Sequence, residues 1–543
     1  MRHVSRSTLL ALCLLATPAG VPLATAQANT RQETVVIVGA QEAATPIPTL
    51  LGNTAANMAV TDLMFLPLAR IGRNNITSGD KDFIPQLARS WTRRDSLTLV
   101  FELDSRARWQ DGVPVTARDA ALALNLARDP AVDPQRALLL QLVAEATALD
   151  DQHLLVRFKE AYDEQLYDAV YHVSPLPAHL VDTVPRGALG KSAFASAPIG
   201  NGPYRWVRRV PGQQLELTAN DQFFLGRPGP RKVLILTVSD AEARMNLLLS
   251  GSADVLQSSA MIATVSRLAA DKRIRIYPMP SFSVGYVSFN QRDPADLGRP
   301  HPILSDLAVR TAITMALDRR GMVQATFGPW ASVPQGPIPQ MSWVRDPGYK
   351  PAPPDPAGAR ALLRSRGWVD TDGDGVLDKD GKPLALGLNY PSPSAQAGVL
   401  ALQIQEQLRQ VGIRIEVNRL EGSVWGERRN AGAFDLDFGQ ATMDPSPAGM
   451  VQTWSCAGRG GSNKAYYCDP KVDSLLALAL RAPRKEALAL YRETVRTIAA
   501  DAPAVFLFTT TTPMAVSDRI KNVELVPVAP WSAVWRWSPG PVP

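Results

Sequence analysis

In the C-terminal third of the chain the apolar repeat changes period without a break. Leu400, Ile404 and Leu408 recur every four residues, which puts them on one helix face, and Gly412 stops that helix. Ile413, Ile415 and Val417 then alternate with polar neighbours, the spacing of a half-buried strand. A helix that hands straight on to a strand confines the chain to mixed α/β architecture. Other segments agree. Residues 34–38, closed by Gly39, read as a short buried strand, and Leu97, Leu99, Phe101 and Leu103 alternate as a second. Residues 215–218 and 233–238 add two more. Thr116 is placed to cap a helix through Ala120, Leu124 and Ala127 that stops before Pro130, with Asp119 near the positive end of its dipole. Asp355-Pro356 and Asp469-Pro470 pair an N-cap with a first helical proline, and Gly367 closes the first of these helices. Val309, Ala312, Ile313, Ala316 and Leu317 share another helical face, on which Asp306 and Arg310 are spaced for an i,i+4 pair.

At 543 residues the chain exceeds what one hydrophobic core organises, so two or three domains are expected. Residues 1–26 do not belong to the fold. Arg2 and Arg6 precede an apolar run over 9–16, and Ala24-Thr25-Ala26 offers the small residues a signal peptidase needs, with cleavage before Gln27. Leu12 stands where a lipoprotein would carry a small residue before Cys13, so a soluble, periplasmic mature protein is expected and not a lipoprotein. Losing Arg2 and Arg6 and no acid lowers the formal charge from +6 to +4, too mild a balance to argue for nucleic acid. Two cysteines then remain. Cys456 and Cys468 lack the C-x-x-C spacing of a redox pair, and in an oxidising compartment they read as a disulfide.

Catalytic and metal motifs are sparse. Asp370, Asp372 and Asp374 alternate like the start of a calcium loop, but the twelfth position is Gly381 where a bidentate Glu belongs, so a polar hairpin is the better reading. His153, His172, His179 and His301 form no i,i+4 pair, and neither a G-x-S-x-G elbow nor a P-loop occurs. No metal, cofactor or catalytic group is therefore assigned. What stands out is aromatic and small polar residues in turn-rich segments: 282–289, Trp425, Met443-Asp444-Pro445 and Trp454. Such residues suit the walls of a ligand cleft between domains.

An ordered set of segments resembles the peptide/nickel-type family 5 of extracellular solute-binding proteins that serve ABC importers. The likeness runs through Phe83-Ile84-Pro85-Gln86-Leu87-Ala88-Arg89-Ser90-Trp91 and Phe101-Glu102-Leu103. It is strongest over Trp109-Gln110-Asp111-Gly112-Val113-Pro114-Val115-Thr116-Ala117-Arg118-Asp119. Gly200-Asn201-Gly202-Pro203-Tyr204 is similar to the family's G-T-G-P-Y turn, and Gly251-Ser252-Ala253-Asp254-Val255 to its G-x-x-D-[IV] segment. Residues 305–312, Ala316-Leu317-Asp318-Arg319, Gly367-Trp368 and 463–473 continue it.

The resemblance implies an α/β, periplasmic-binding-protein-like fold with two lobes built from three domains. A discontinuous domain I would take 27–62, 200–280 and 505–543; domain II would take 63–199 and domain III 281–504. It also implies a monomer that closes on a small-molecule or peptide ligand and docks on ABC permease subunits in the membrane. The cysteine spacing resembles a disulfide of the family's dipeptide binders. Asp444, Trp454, Tyr286 and Trp425 are the residues expected to line the cleft. The charged clamps of dipeptide binders are missing, because Ala441 stands at the ammonium-binding position and Pro391 at the carboxylate-binding one. A longer or modified peptide, or another small organic solute, is therefore expected. The rival readings are a nickel or haem carrier of the same fold, a secreted hydrolase and a periplasmic chaperone.

Overall fold

The strand Thr34–Gly39 lies between two parallel neighbours, Lys232–Thr237 and Val255–Gln257, and this accounts for its unbroken apolar run. In the computed structural model, which describes residues 31–43, 47–48, 55–392 and 394–541, it belongs to an eleven-stranded sheet. The export leader, its cleavage site and Cys13 lie outside the described residues. From one edge the strands run Arg414–Glu421, Ala385–Ser392, Leu436–Thr442, Ile274–Phe289 and Ala504–Ser517. They continue Val255–Gln257, Thr34–Gly39, Lys232–Thr237, Gln214–Ala219 and Tyr204–Val210, while Ala331–Ser332 pairs separately with Ala504–Ser517.

Two long strands join the halves of this sheet. Ile274–Phe289 and Ala504–Ser517 pair antiparallel from Ile274 opposite Ser517 to Ser288 opposite Ala504. One end of the ribbon is bonded to Val255–Gln257 and the other to Leu436–Thr442. Between these ends the register slips from Pro280 to Val284, and Pro278 faces Pro513. Three prolines here supply no N–H, so the ladder is thinnest where it crosses. Separate cores flank the crossing. One gathers Val35, Phe65, Phe101, Trp109, Tyr204 and Trp537. Beyond the crossing, Phe289, Leu388, Leu400 and Phe508 form a second, and Tyr286, Trp454, Tyr491 and Phe506 a third. The first core also takes in a four-stranded sheet, ordered Ala88–Asp95, Thr98–Leu103, His153–Phe158 and Val143–Ala148.

Helix ends follow the sequence signals. Asp355 accepts the Gly358 N–H at 2.8 Å at the start of Pro356–Ser365, and Asp469 accepts the Lys471 N–H at 2.8 Å at the start of Pro470–Arg481. The helix Ala395–Arg409 ends at Gly412, whose φ of +84° favours glycine. Asp119 does more than its sequence position implied. It is buried in the helix Ala117–Ala127 and accepts the Thr116 N–H at 2.7 Å, the Trp109 indole N–H at 3.1 Å and the Ala178 N–H at 2.7 Å. The Gly200 turn packs on the backbone of Met64, where a Cβ on Gly200 would sit 2.0 Å from the Met64 carbonyl oxygen.

One expected pair is not made. Asp306 caps the helix Leu307–Ala316 through the Ala308 N–H at 2.9 Å and binds Arg366 at 2.9 Å. Arg310 turns inward instead and donates to the carbonyls of Leu304, Ser305, Asp501 and Ala502, because buried acceptors there outcompete a surface carboxylate. Around Asp370 the chain forms a hairpin, Asp378–Lys379 with Lys382–Pro383, and the Asp370 carboxylate accepts the N–H groups of Gly373 and Gly375. Cys456 and Cys468 are joined by a disulfide.

Candidate functional site

A cavity of about 460 Å³ lies between the two bodies on either side of the ribbon. From the first body, the helix Ala55–Met64 contributes Met58, Thr61 and Asp62, and the short strand Ala69–Ile71 contributes Arg70. Arg136 comes from the helix Pro134–Leu139, and Tyr171 and His172 follow the helix Gln165–Val170. From the second body, Thr442 at the end of its strand is followed by Met443 and Asp444. A neighbouring cavity of about 260 Å³ shares Asp444, His172 and Leu139 and reaches Tyr167, Ser446 and Arg481.

Asp444 bridges the two bodies at the cavities. Its carboxylate accepts the Tyr167 hydroxyl from across the cleft and the Ser446 N–H at 2.8 Å. Burial pushes its carboxyl up to about 7, against the two hydrogen bonds that favour the ionised form, and nearby Glu164 adds repulsion. Asp62 is likewise pushed up to about 7 by burial, opposed by Arg70 and by the Trp531 N–H at 3.2 Å. His172 is pushed down to about 3 by burial and by Arg136, so its imidazole is neutral. Its ring nitrogens lie 3.8 Å from Asp168 and 3.9 Å from Asp444. No hydroxyl or thiol is bonded to this imidazole among the described residues, so no nucleophile is paired with a base there.

Around the cavities the bodies are bonded directly. Glu164, 5 % exposed, accepts the hydroxyls of Thr77 and Ser446, the latter at 2.5 Å, and Trp343 donates its indole N–H to Thr77 at 3.0 Å. Burial raises the Glu164 carboxyl, against these two hydroxyls. Nearer solvent, Arg481 pairs with Glu160 and the Arg484 N–H donates to Asp163 at 2.8 Å.

Of the four residues read from the sequence as cleft-lining, Asp444 borders both cavities. Tyr286 and Trp454 line neither. They meet edge to face at 5.9 Å within the third core, where Trp454 also packs on Phe506. Trp425 lies apart, donating its indole N–H to Asp437 at 2.8 Å with the Arg429 guanidinium over its ring. Large aromatic rings bury the most apolar area, and here that area went to packing. The sequence reading missed Asp62, Arg70, Arg136, Tyr171 and His172, which come from short elements without a long repeat.

Residues 82–463 match the family described as bacterial extracellular solute-binding proteins, family 5, middle portion. The chain is 25 % identical over 450 residues to the oligopeptide-binding protein AppA of Bacillus subtilis, covering 79 % of this chain and 78 % of that protein. It is 30 % identical over 377 residues to a putative ABC transporter peptide-binding protein of Brucella ovis, covering 68 % and 67 %. Its fold is similar to that of Bacillus subtilis AppA in complex with a nonapeptide, with TM-score 0.82, 23 % identity and 93 % and 98 % of the chains covered. Campylobacter jejuni NikZ in complex with Ni(L-His) is comparable, at TM-score 0.81, 23 % identity and 93 % and 99 % coverage.

Proposed function

The chain belongs to the bacterial extracellular solute-binding proteins of family 5, and from that premise we propose that it captures a peptide-like or other small organic solute between its two lobes. It then hands the solute, chemically unchanged, to the permease of an ABC importer. The observation that carries this reading is the cavity of about 460 Å³ walled by residues from both bodies, which only a closed arrangement encloses. Closure is a rotation about the paired strands Ile274–Phe289 and Ala504–Ser517, through which the chain passes between the bodies twice. Peptide is the favoured cargo because the relatives of Bacillus subtilis and Brucella ovis are named for peptide binding.

In this reading the first lobe comprises domain I (27–62, 200–280 and 505–543) with domain II (63–199), and domain III (281–504) forms the second. Strand membership in the two halves of the sheet supports the division away from the shared ribbon, whereas residues 505–508 pack in the cores of the second body. Asp444 contacts the solute, Tyr286 and Trp454 pack in the core behind it, and Trp425 stands away from both cavities. The mature protein starts at Gln27 and carries no lipid, which N-terminal sequencing and the intact mass of the exported form test directly.

The function itself is tested by thermal shift with defined peptides of two to nine residues. A solute at a hundred times its Kd should add about 2.7 kcal/mol of stability, and mass spectrometry should recover it intact. Recovery of a cleaved product would overturn the assignment. A metal-complex cargo is the second reading, favoured by the neutral imidazole of His172 in the cavity wall; titration with nickel–histidine separates the two.

A further inference from the structure

Arg70 is a cation of the cleft left without an acceptor among the described residues. It lines the large cavity, yet among the described residues its guanidinium makes no hydrogen bond and no ion pair. Other enclosed arginines are served differently. Arg136, in the same cavity wall, donates to the Pro48 carbonyl at 3.0 Å and pairs with Asp133. Arg310 reaches four carbonyls, Arg429 reaches Asp437, and Arg519 forks onto both oxygens of Asp254 at 2.6 and 2.7 Å. A guanidinium carries five donors in a fixed planar fork, and those of half-buried Arg70 open onto the cavity instead of onto the protein.

The charged groups near Arg70 do not satisfy those donors. Asp62 is the neighbouring carboxyl, but it accepts the Trp531 N–H rather than Arg70, and burial holds it near 7, so near neutral pH it is only partly ionised. Arg536 adds positive charge. The imidazole of His172, on the same cavity, is neutral. The fork opens on a pocket whose other charged groups are already engaged, Arg136 with Asp133 and Asp444 with Tyr167 and Ser446, and whose apolar walls include Met58, Phe65, Ile71, Val170, Met443 and Val528.

We infer that Arg70 is the receptor for a carboxylate on the solute, held in a bidentate fork, so that the cargo is a carboxylic acid such as a peptide with a free C-terminus. A carboxylate matches the guanidinium in geometry and charge, and a lysine or a neutral donor would not reproduce both contacts. The position differs from Pro391, where the resemblance to dipeptide binders looks for such a group. The inference rests on the proposed use of this cavity as the solute site.

The test compares matched acids and neutral forms on the full exported chain by thermal shift and calorimetry. One set is a pool of peptides of two to five residues with free C-termini, beside the same pool as C-terminal amides. A second set is a panel of non-peptide carboxylic acids beside their methyl esters. The acid of at least one set is expected to stabilise the protein and its neutral counterpart to bind roughly 10- to 100-fold more weakly. Arg70→Gln should lose that preference by the same factor, with Arg70→Lys intermediate. Because the guanidinium makes no hydrogen bond or ion pair to the described residues, ligand-free Arg70→Gln should melt no lower than the parent. Equal binding of acids and neutral forms, no shift with any acid of either set, or a ligand-free Arg70→Gln that melts many degrees lower would each overturn the assignment. Stabilisation by non-peptide acids alone would uphold Arg70 and remove peptides as the cargo.

Discussion

Asp444 and Asp62 couple the cleft to pH. Both carboxyls stand near 7 because burial penalises the ionised form, whereas in an unfolded chain they titrate near 4. Between about pH 4 and pH 7 the folded protein therefore holds more protons than the unfolded one. The stability this provides is complete below the unfolded value and is lost as pH rises through the folded one. Asp444→Asn fixes the neutral form and keeps an acceptor for Tyr167. It should flatten the fall in urea midpoint between pH 5 and pH 8 by the equivalent of roughly 1–3 kcal/mol, the remainder being shared among other carboxyls raised by burial, including Asp62, Glu164, Asp168 and Asp437. An unaltered pH slope in the variant would show that this carboxyl ionises freely in the folded protein. Asp444 was legible in the sequence because the Asp-Pro step and the family pattern mark its place. Tyr286 and Trp454 were read beside it on aromatic character alone, which does not separate a cleft wall from a core. Arg70 left no trace, since a three-residue strand has no period and an acceptor missing from its surroundings is a property of the fold alone.

Among the elements, the segment that ends in the helix Gln165–Val170 is the one that clasps the second body. Its contacts differ in weight. Glu164 is buried and receives two hydroxyls, so Glu164→Ala strands Thr77 and Ser446 and should cost about 1–3 kcal/mol. Glu164→Gln keeps an acceptor and removes repulsion toward Asp444, and should cost less than half of that. The Arg481–Glu160 pair is exposed on both sides, and Arg481→Ala should leave the denaturation midpoint within error. A larger loss from Arg481→Ala than from Glu164→Ala in chemical denaturation would reverse this ranking. Helices and strands were the most legible level of the structure, because caps such as Asp355-Pro356 and the period change at Gly412 act through local backbone geometry. The Asp306–Arg310 pair failed for the opposite reason: its outcome was decided by the carbonyls of Asp501 and Ala502, nearly two hundred residues away.

At the scale of the whole molecule, two half-sheets share one ribbon, and the ribbon is weakest at its centre. Pro278 opposite Pro513, with the register slip up to Val284, removes ladder bonds where a rotation would concentrate bending. The clasp at Glu164 and the solute then act on one equilibrium, since each bonds the lobes only when they are shut. To move that equilibrium from 1:99 to 99:1 a solute must prefer the closed form by about 10⁴-fold, and a clasp supplying part of this preference lowers what the solute must provide. Glu164→Ala should therefore enlarge the radius of gyration of the solute-free protein in X-ray scattering, and saturating solute should return it to the parent's closed value. In hydrogen exchange, the amides of 281–282, which pair with neither neighbouring strand, should open faster than those of 284–289, and solute should slow them. If the clasp variant scattered like the parent with and without solute, and the ribbon's centre exchanged no faster than its ends, the two bodies would be one rigid unit. Solute would then have to enter by a route other than hinge opening.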